Sequence, residues 1–305
     1  MAAGRRIIKT DIGQKLVSAT GVNLREKEMM SKHTTLCLGG PADYFVEVQN
    51  EKQLMSLLEF VNENKMPFYV VGGGSNLLFG DNGFRGIIIK LAGDFQTIDV
   101  EGNSVVCGGG AVFAAVVKKS IECSLSGLEY FIAIPGTVGA AVYGNAGLKD
   151  IWADSAVDCV ETVDYYGKKQ LFQRNEIEFK YRSSSLKNRI ITKVKFVLKK
   201  ADKNDILNVV SKEIERRKKS QPIGTKNAGC VFKNPQDVSA GSLIDSLGLK
   251  KFTIGGISIS GVHANFFINN GSGSSKDMES MITFVRNKVK EKFNIDLKTE
   301  IKIIK

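Results

Sequence analysis

The chain has 305 residues, with 43 lysines and arginines against 32 aspartates and glutamates, a formal charge of +11. Hydrophobic residues at 43% beside 25% charged ones are a globular balance and exclude a disordered chain. No apolar run approaches the roughly 18 residues of a membrane helix, and Met1 to Gln14 lacks the apolar core and cleavage site of a signal peptide.

In chain order, Leu54, Leu57, Leu58 and Val61 recur at helical spacing and predict an amphipathic helix, closed by Pro67. Phe68 to Val71 reads as a buried strand running into Gly72-Gly73-Gly74, and Gly86 to Ile89 as a second. The first unit, 1–92, is therefore a β-α-β start with helices over a sheet. A second unit, 93–201, begins with the strand Ser104 to Cys107, a further triplet Gly108-Gly109-Gly110 and a helix from Val112 to Cys123. Strand-like runs follow at Val157 to Val163 and Ile190 to Leu198. A third unit, 202–297, opens with a helix from Asn204 to Lys219 whose Ile206, Val209, Val210 and Ile214 share one face. It closes with a helix in which Met278, Met281, Ile282, Val285 and Val289 form a core stripe. A terminal strand, Leu297 to Ile304, follows.

Five cysteines, Cys37, Cys107, Cys123, Cys159 and Cys230, include no CxxC pair and read as reduced thiols in a cytosol. Two distant histidines, His33 and His263, give little basis for a metal site, so none is expected. Positive charge thickens from Lys187 to Lys219 and from Arg286 to Lys305. It reads first as a solvated helix face, next as attraction for an anionic small molecule. A nucleic-acid surface would need a zinc-finger or aromatic RNA-binding signature, and none is present.

Two glycine clusters carry the chemistry. Val71 to Leu77 runs a strand into three glycines, where backbone N–H groups can approach an anion with no Cβ in the way. A Rossmann fingerprint needs glycine at Leu77, and a P-loop needs Lys-Ser or Lys-Thr, so neither applies. For this segment alone, a tight turn without a ligand fits equally well. Ile134 to Gly147 packs small residues into a stretch too apolar for a linker, with a turn at Pro135-Gly136. Two such loops on separate units would clamp one dinucleotide, and a flavin suits them: pyrophosphate on backbone N–H groups, ring along the apolar strip.

The ordered motifs resemble those of the UDP-N-acetylenolpyruvoylglucosamine reductase family. They are His33-Thr34-Thr35 with Gly39 to Ala42, Gly72 to Leu78, and Gly127-Leu128-Glu129 through Pro135 to Gly139 and Asn145-Ala146-Gly147. Tyr181-Arg182 with Ser184 and Lys187, Asn227 to Pro235, and the tail Leu297 to Ile304 complete the set. The resemblance implies an α+β fold: a vanillyl-alcohol-oxidase-type, two-part FAD-binding module (1–92 with tail 298–305, and 93–201) and a C-terminal α/β substrate-binding domain, 202–297. The short route from Tyr181-Arg182 to the third unit resembles the form lacking an inserted substrate loop. The implied activity is FAD-dependent reduction, by NADPH, of enolpyruvyl-UDP-N-acetylglucosamine to UDP-N-acetylmuramate in peptidoglycan precursor synthesis. Non-covalent FAD, a cytoplasmic monomer, and no nucleic-acid or membrane partner go with it.

The resemblance also assigns roles. Arg182 matches the cation that meets the enolate-like carboxylate, where a forked guanidinium can bond both oxygens. Glu300 corresponds to the family's C-terminal glutamate, and burial beside an acid would raise its pKa. Cys230 stands where the family usually has serine, so the thiol is the expected proton donor and a target for alkylation. The other four cysteines read as small core residues. Expected FAD contacts are Gly72, Gly73, Gly74, Ser75, Asn76, Leu77, Pro135, Gly136, Thr137, Gly139, Ala140 and Asn145. Expected substrate contacts are Tyr181, Asn234, Lys250 or Lys251, and His263, although a lone histidine is more often structural. Ser183 and Leu148-Lys149 depart from the family pattern and bear on the flavin side. The residues alone also admit a flavin-dependent oxidase of another small molecule, or a basic nucleic-acid-binding protein.

Overall fold

Helix α1 (Thr10–Thr20) buries Leu16 and stops where Gly21, at φ 64°, turns left-handed and donates its N–H to the Val17 carbonyl. The structure, a computed structural model, describes residues 10–148 and 151–305. Most of the segment Met1 to Gln14, and Lys149, lie outside them. β1 (Asn23–Met29) pairs antiparallel with β2 (Pro41–Val48). α2 (Glu51–Glu63), capped by Asn50 accepting from the Gln53 N–H, carries the predicted stripe Leu54, Leu57, Leu58 and Val61. β3 (Phe68–Val71) follows, then β4 (Leu77–Phe79) and β5 (Phe84–Leu91). The sheet runs β1-β2-β5-β3, and β5 is parallel to both its neighbours. Ile87 and Ile89 pack with the α2 stripe while Ile88 joins Phe45 and Phe79 in a separate core, so this strand is apolar without alternation.

The second unit is a five-stranded antiparallel sheet. Its order is Lys169–Gln173, Val157–Asp164, Arg189–Val197, β7 (Ser104–Gly108) and β6 (Ile98–Glu101). α3 (Phe113–Glu122), α4 (Val138–Tyr143) and α5 (Lys203–Ser220) share its core, with Phe113, Val116, Phe196, Ile206 and Val210 buried together. The helix expected to open the third unit thus completes the second core. Periodicity reveals that α5 has a buried face, not what that face meets.

In the third unit α6 (Ala240–Asp245) and α7 (Ser275–Phe293) pack with a three-stranded antiparallel sheet, burying Met278, Met281, Ile282, Val285 and Val289 as predicted. The same core takes in Leu36, Leu38 and Leu78 from the first unit. Asp81 locks the two units together by accepting from the N–H groups of Ser275 and Lys276 at 2.8 and 3.0 Å. The predicted terminal strand shrinks to Lys302–Ile304, which pairs parallel with β4. Just before it, the Glu300 N–H donates to the Val231 carbonyl at 2.7 Å and the Lys233 N–H to the Lys298 carbonyl at 2.9 Å. The tail therefore crosses from the third unit to the first, and carries Glu300 between them.

Candidate active site

Three loops converge where the first and second units meet: residues 72–77 after β3, 109–110 after β7, and the turn before α4. Thr137 caps α4 by accepting from the Ala140 N–H at 3.4 Å. The approach leaves no room for side chains. A Cβ on Gly72 would stand 2.6 Å from Thr137 Oγ1, one on Gly73 2.8 Å from Gly136 Cα, and one on Gly139 2.9 Å from the Gly109 carbonyl oxygen. Gly72, Gly73, Gly74, Ser75, Asn76 and Leu77 line one wall of the resulting cleft and Thr137, Gly139 and Ala140 another, with Tyr69, Tyr143, Tyr165, Lys90, Arg189 and Lys302 around it. Pro135 accepts from Ser75 Oγ at 3.2 Å and Gly136 abuts Gly73, so both shape the loop from behind. Asn145 does not line the cleft: it donates to the Lys180 carbonyl at 3.4 Å and accepts from the Asp154 N–H at 3.2 Å. Bare backbone, tyrosine rings and three cations fit a dinucleotide with a flat ring system.

At one end of the cleft the Asn76 amide donates to the Glu300 carbonyl at 3.3 Å, and the reactive groups begin there. Tyr181 and Arg182 make the turn between the short strands Phe179–Lys180 and Ser183–Ser184. Arg182 has φ 55°, a left-handed conformation costing a non-glycine residue about 1–2 kcal/mol. Its Nε lies 2.6 Å from Glu300 Oε1, and Nη1 donates to the Gly147 carbonyl at 3.1 Å. The guanidinium also sits 5.5 Å from the ring centres of both Trp152 and Tyr181. Burial raises the Glu300 pKa above the usual carboxylate range, although Arg182 pulls it down. Burial likewise pushes the Cys230 thiol up to about 12; the Glu300 charge adds to this, while Arg182 and Asn265 oppose it. Arg182, Cys230 and Glu300 thus form one electrostatically linked cluster.

Of the expected substrate contacts, Tyr181 adjoins it. Tyr181 Oη accepts from the Asn234 N–H at 3.5 Å, and the Asn234 side chain accepts from the Ala240 N–H at 3.0 Å, tying this loop to α6. Lys250 pairs with Asp245 at 2.7 Å. Burial, and then the Lys250 charge, push the His263 pKa down, and its Nδ1 accepts from the Asn265 N–H at 3.2 Å. Asn265 bonds both the N–H and the carbonyl of Phe232, linking this patch to the Cys230 segment.

Arg217 escaped the sequence reading. It is 7% exposed, donates from Nη1 to the Ala133 carbonyl at 2.7 Å, and leaves Nε without a hydrogen bond. Burial lowers its pKa, with Arg216 adding to this, and the charges of Arg182 and Cys230 both reach it. The signal was phase: Arg217 shares the buried face of Ile206 and Val210, whereas the run 216–219 reads as one solvated block. Trp152, the chain's single tryptophan, was missed too, and stands edge-on to Tyr181 at 5.6 Å. Cys37 and Cys123 are exposed rather than core. The first lies in a left-handed turn at φ 53° and the second caps the end of α3.

Residues 42–167 match the family model described as FAD binding domain, and residues 221–304 that of UDP-N-acetylenolpyruvoylglucosamine reductase, C-terminal domain. The chain is accordingly an FAD-dependent oxidoreductase, an FAD-binding part followed by the C-terminal domain of the reductase family. A UDP-N-acetylenolpyruvoylglucosamine reductase from Clostridium botulinum is 36% identical, over 92% of this chain and 93% of its own. One from Carboxydothermus hydrogenoformans is 36% identical over 97% and 99%. The crystal structure of the Thermus caldophilus enzyme superposes with a TM-score of 0.81 at 35% identity, covering 93% of this chain and 99% of that one. This chain belongs to the UDP-N-acetylenolpyruvoylglucosamine reductase family. Among the described residues, no helix is long and apolar enough to cross a membrane.

Proposed function

We propose that the protein uses NADPH to reduce the enolpyruvyl ether of UDP-N-acetylglucosamine to UDP-N-acetylmuramate, in the cytoplasm, as a step toward peptidoglycan. The observation that carries this reading is the Arg182–Glu300–Cys230 cluster at the Asn76 end of the FAD cleft. FAD bound by the 72–77 and 137–140 segments would supply the hydride.

Hydride addition to the alkene leaves negative charge on the carbon beside the substrate carboxylate, so the barrier depends on a fixed cation. Arg182 is that cation, held by its turn, the Gly147 carbonyl and two aromatic rings. Glu300 keeps the guanidinium in place, and burial, by raising its pKa, makes its carboxyl easier to protonate beside a substrate acid. Cys230 holds its proton at neutral pH and releases it to the carbanionic carbon. That carbon is more basic than a thiolate, so transfer is downhill even from a thiol near pKa 12. The thiolate that remains is stabilised by Arg182 and Arg217. Arg217 has no ion-pair partner among the described residues, and an anionic substrate would relieve its buried charge. Tyr181, Asn234, Lys250 and His263 face the sugar-diphosphate side.

The experiment is an anaerobic titration of the purified holoprotein. NADPH should bleach the flavin absorbance, and the enolpyruvyl sugar nucleotide should restore it. No bleaching would rule out NADPH as reductant; bleaching without recovery would rule out this substrate.

A further inference from the structure

Lys302 has no role in the mechanism above, yet it lines the FAD cleft. Its backbone N–H donates to the Asn76 carbonyl at 3.0 Å, and it stands in parallel register with Leu77. Nζ lies 4.3 Å from the centre of the Tyr143 ring, at the end of α4. Among the described residues no carboxylate pairs with it. Burial lowers its pKa, followed by the charge of Lys233, and Lys233 acts on Glu300 as well. Asn76 bonds both residues of the tail, accepting from the Lys302 N–H and donating to the Glu300 carbonyl, so Lys302 stands at the end of the cleft where Asn76 meets the tail. Arg189, also on the cleft, is committed to Thr162 and Gln170 at 3.3 and 2.8 Å.

For the ring of a bound FAD to meet Arg182, Cys230 and Glu300, it would have to lie at the end of the cleft that adjoins them. The pyrophosphate and adenine would then be held by the remainder of the cleft. A cation at the ring end acts on charge that appears only on reduction. NADPH transfers two electrons and one proton as hydride and leaves as NADP+, so the flavin gains one negative charge. We propose that Lys302 is the positioning cation that sets the reduction potential of the bound flavin, by favouring its negatively charged reduced form over the neutral oxidised one. The inference rests on the FAD assignment and not on the identity of the sugar substrate.

The test compares Lys302→Met and Lys302→Gln with Lys302→Arg as FAD-loaded proteins. Each is equilibrated against a reference dye with no sugar nucleotide present, and oxidised FAD affinity is titrated separately. Met and Gln should weaken binding of the reduced form about tenfold more than binding of the oxidised form. For a two-electron couple that ratio corresponds to a shift of about 30 mV to lower potential. Arg should restore the parent value. An unchanged potential in both neutral variants would overturn the proposal. Equal weakening of both flavin forms, or failure of both neutral variants to hold FAD, would overturn it as well. Since no substrate is present, these outcomes are independent of whether the enolpyruvyl reaction is correct.

Discussion

The Nε of Arg182 lies 2.6 Å from Glu300 Oε1, yet its proton makes no aligned hydrogen bond. The contact is one of charge between two side chains that a left-handed turn and the crossing tail hold in position. The guanidinium keeps bonding capacity beyond Glu300 and the Gly147 carbonyl.

Replacing Arg182 by Lys keeps the charge and discards the planar fork and its packing on Trp152 and Tyr181. We expect kcat to fall about a hundredfold with FAD content unchanged. Steady-state kinetics on holoprotein decide it, and a wild-type kcat would contradict the assignment.

Glu300 makes stability depend on pH in a direction opposite to most carboxylates. Its folded pKa is raised above the usual 4.5, so the folded state holds the proton more tightly than the unfolded one. Its contribution is complete below about pH 4.5 and is lost as pH rises through the folded value. Glu300→Gln cannot ionise. Melts from about pH 4 to about pH 8 should show the parent losing ground to the variant as pH rises; a constant difference would be inconsistent.

Thiol reactivity should follow exposure rather than catalytic role, contrary to the alkylation sensitivity expected from sequence. Cys37 and Cys123 are exposed, whereas Cys107 is buried and Cys230 half-buried, and loss of hydration pushes both of these thiols up to about 12. The thiolate is the reacting species. Limited iodoacetamide followed by peptide mass analysis should find Cys37 and Cys123 modified first. Early labelling of Cys230 would mean its thiol is more acidic than its surroundings dictate.

Gly73→Ala places a Cβ 2.8 Å from Gly136 Cα, so two backbone segments must separate. FAD affinity, followed by flavin fluorescence, should drop at least about tenfold, or roughly 1.4 kcal/mol. Gly80→Ala is the control, since its backbone is not left-handed and its Cβ would come no nearer than 3.7 Å to any other atom. Parental affinity in Gly73→Ala would remove the glycine cradle from the argument.

Much of this was legible in the sequence. Helical spacing located α2 and the α7 stripe, and unbroken apolar runs located β3 and β5, because burial imposes those patterns. β1 was not legible: it is a polar strand with no buried residue, so it leaves no period to read. α4 lies inside a small-residue run that reads equally as a loop. Arg182, Cys230 and Glu300 were marked only by resemblance, because their meeting depends on the tail crossing between units, which no local pattern encodes. Arg217 was hidden by three neighbouring cations that share its charge and not its burial. Long-range packing, not local propensity, determined each of these.

The role of Cys230 as proton donor is open to the most direct measurement, the two half-reactions of Cys230→Ala followed separately by stopped-flow absorbance. Reduction by NADPH should proceed at the parental rate. Reoxidation by the enolpyruvyl sugar nucleotide should slow by about a hundred- to ten-thousandfold, and Cys230→Ser should recover most of it. Reoxidation of Cys230→Ala at the parental rate would contradict the account.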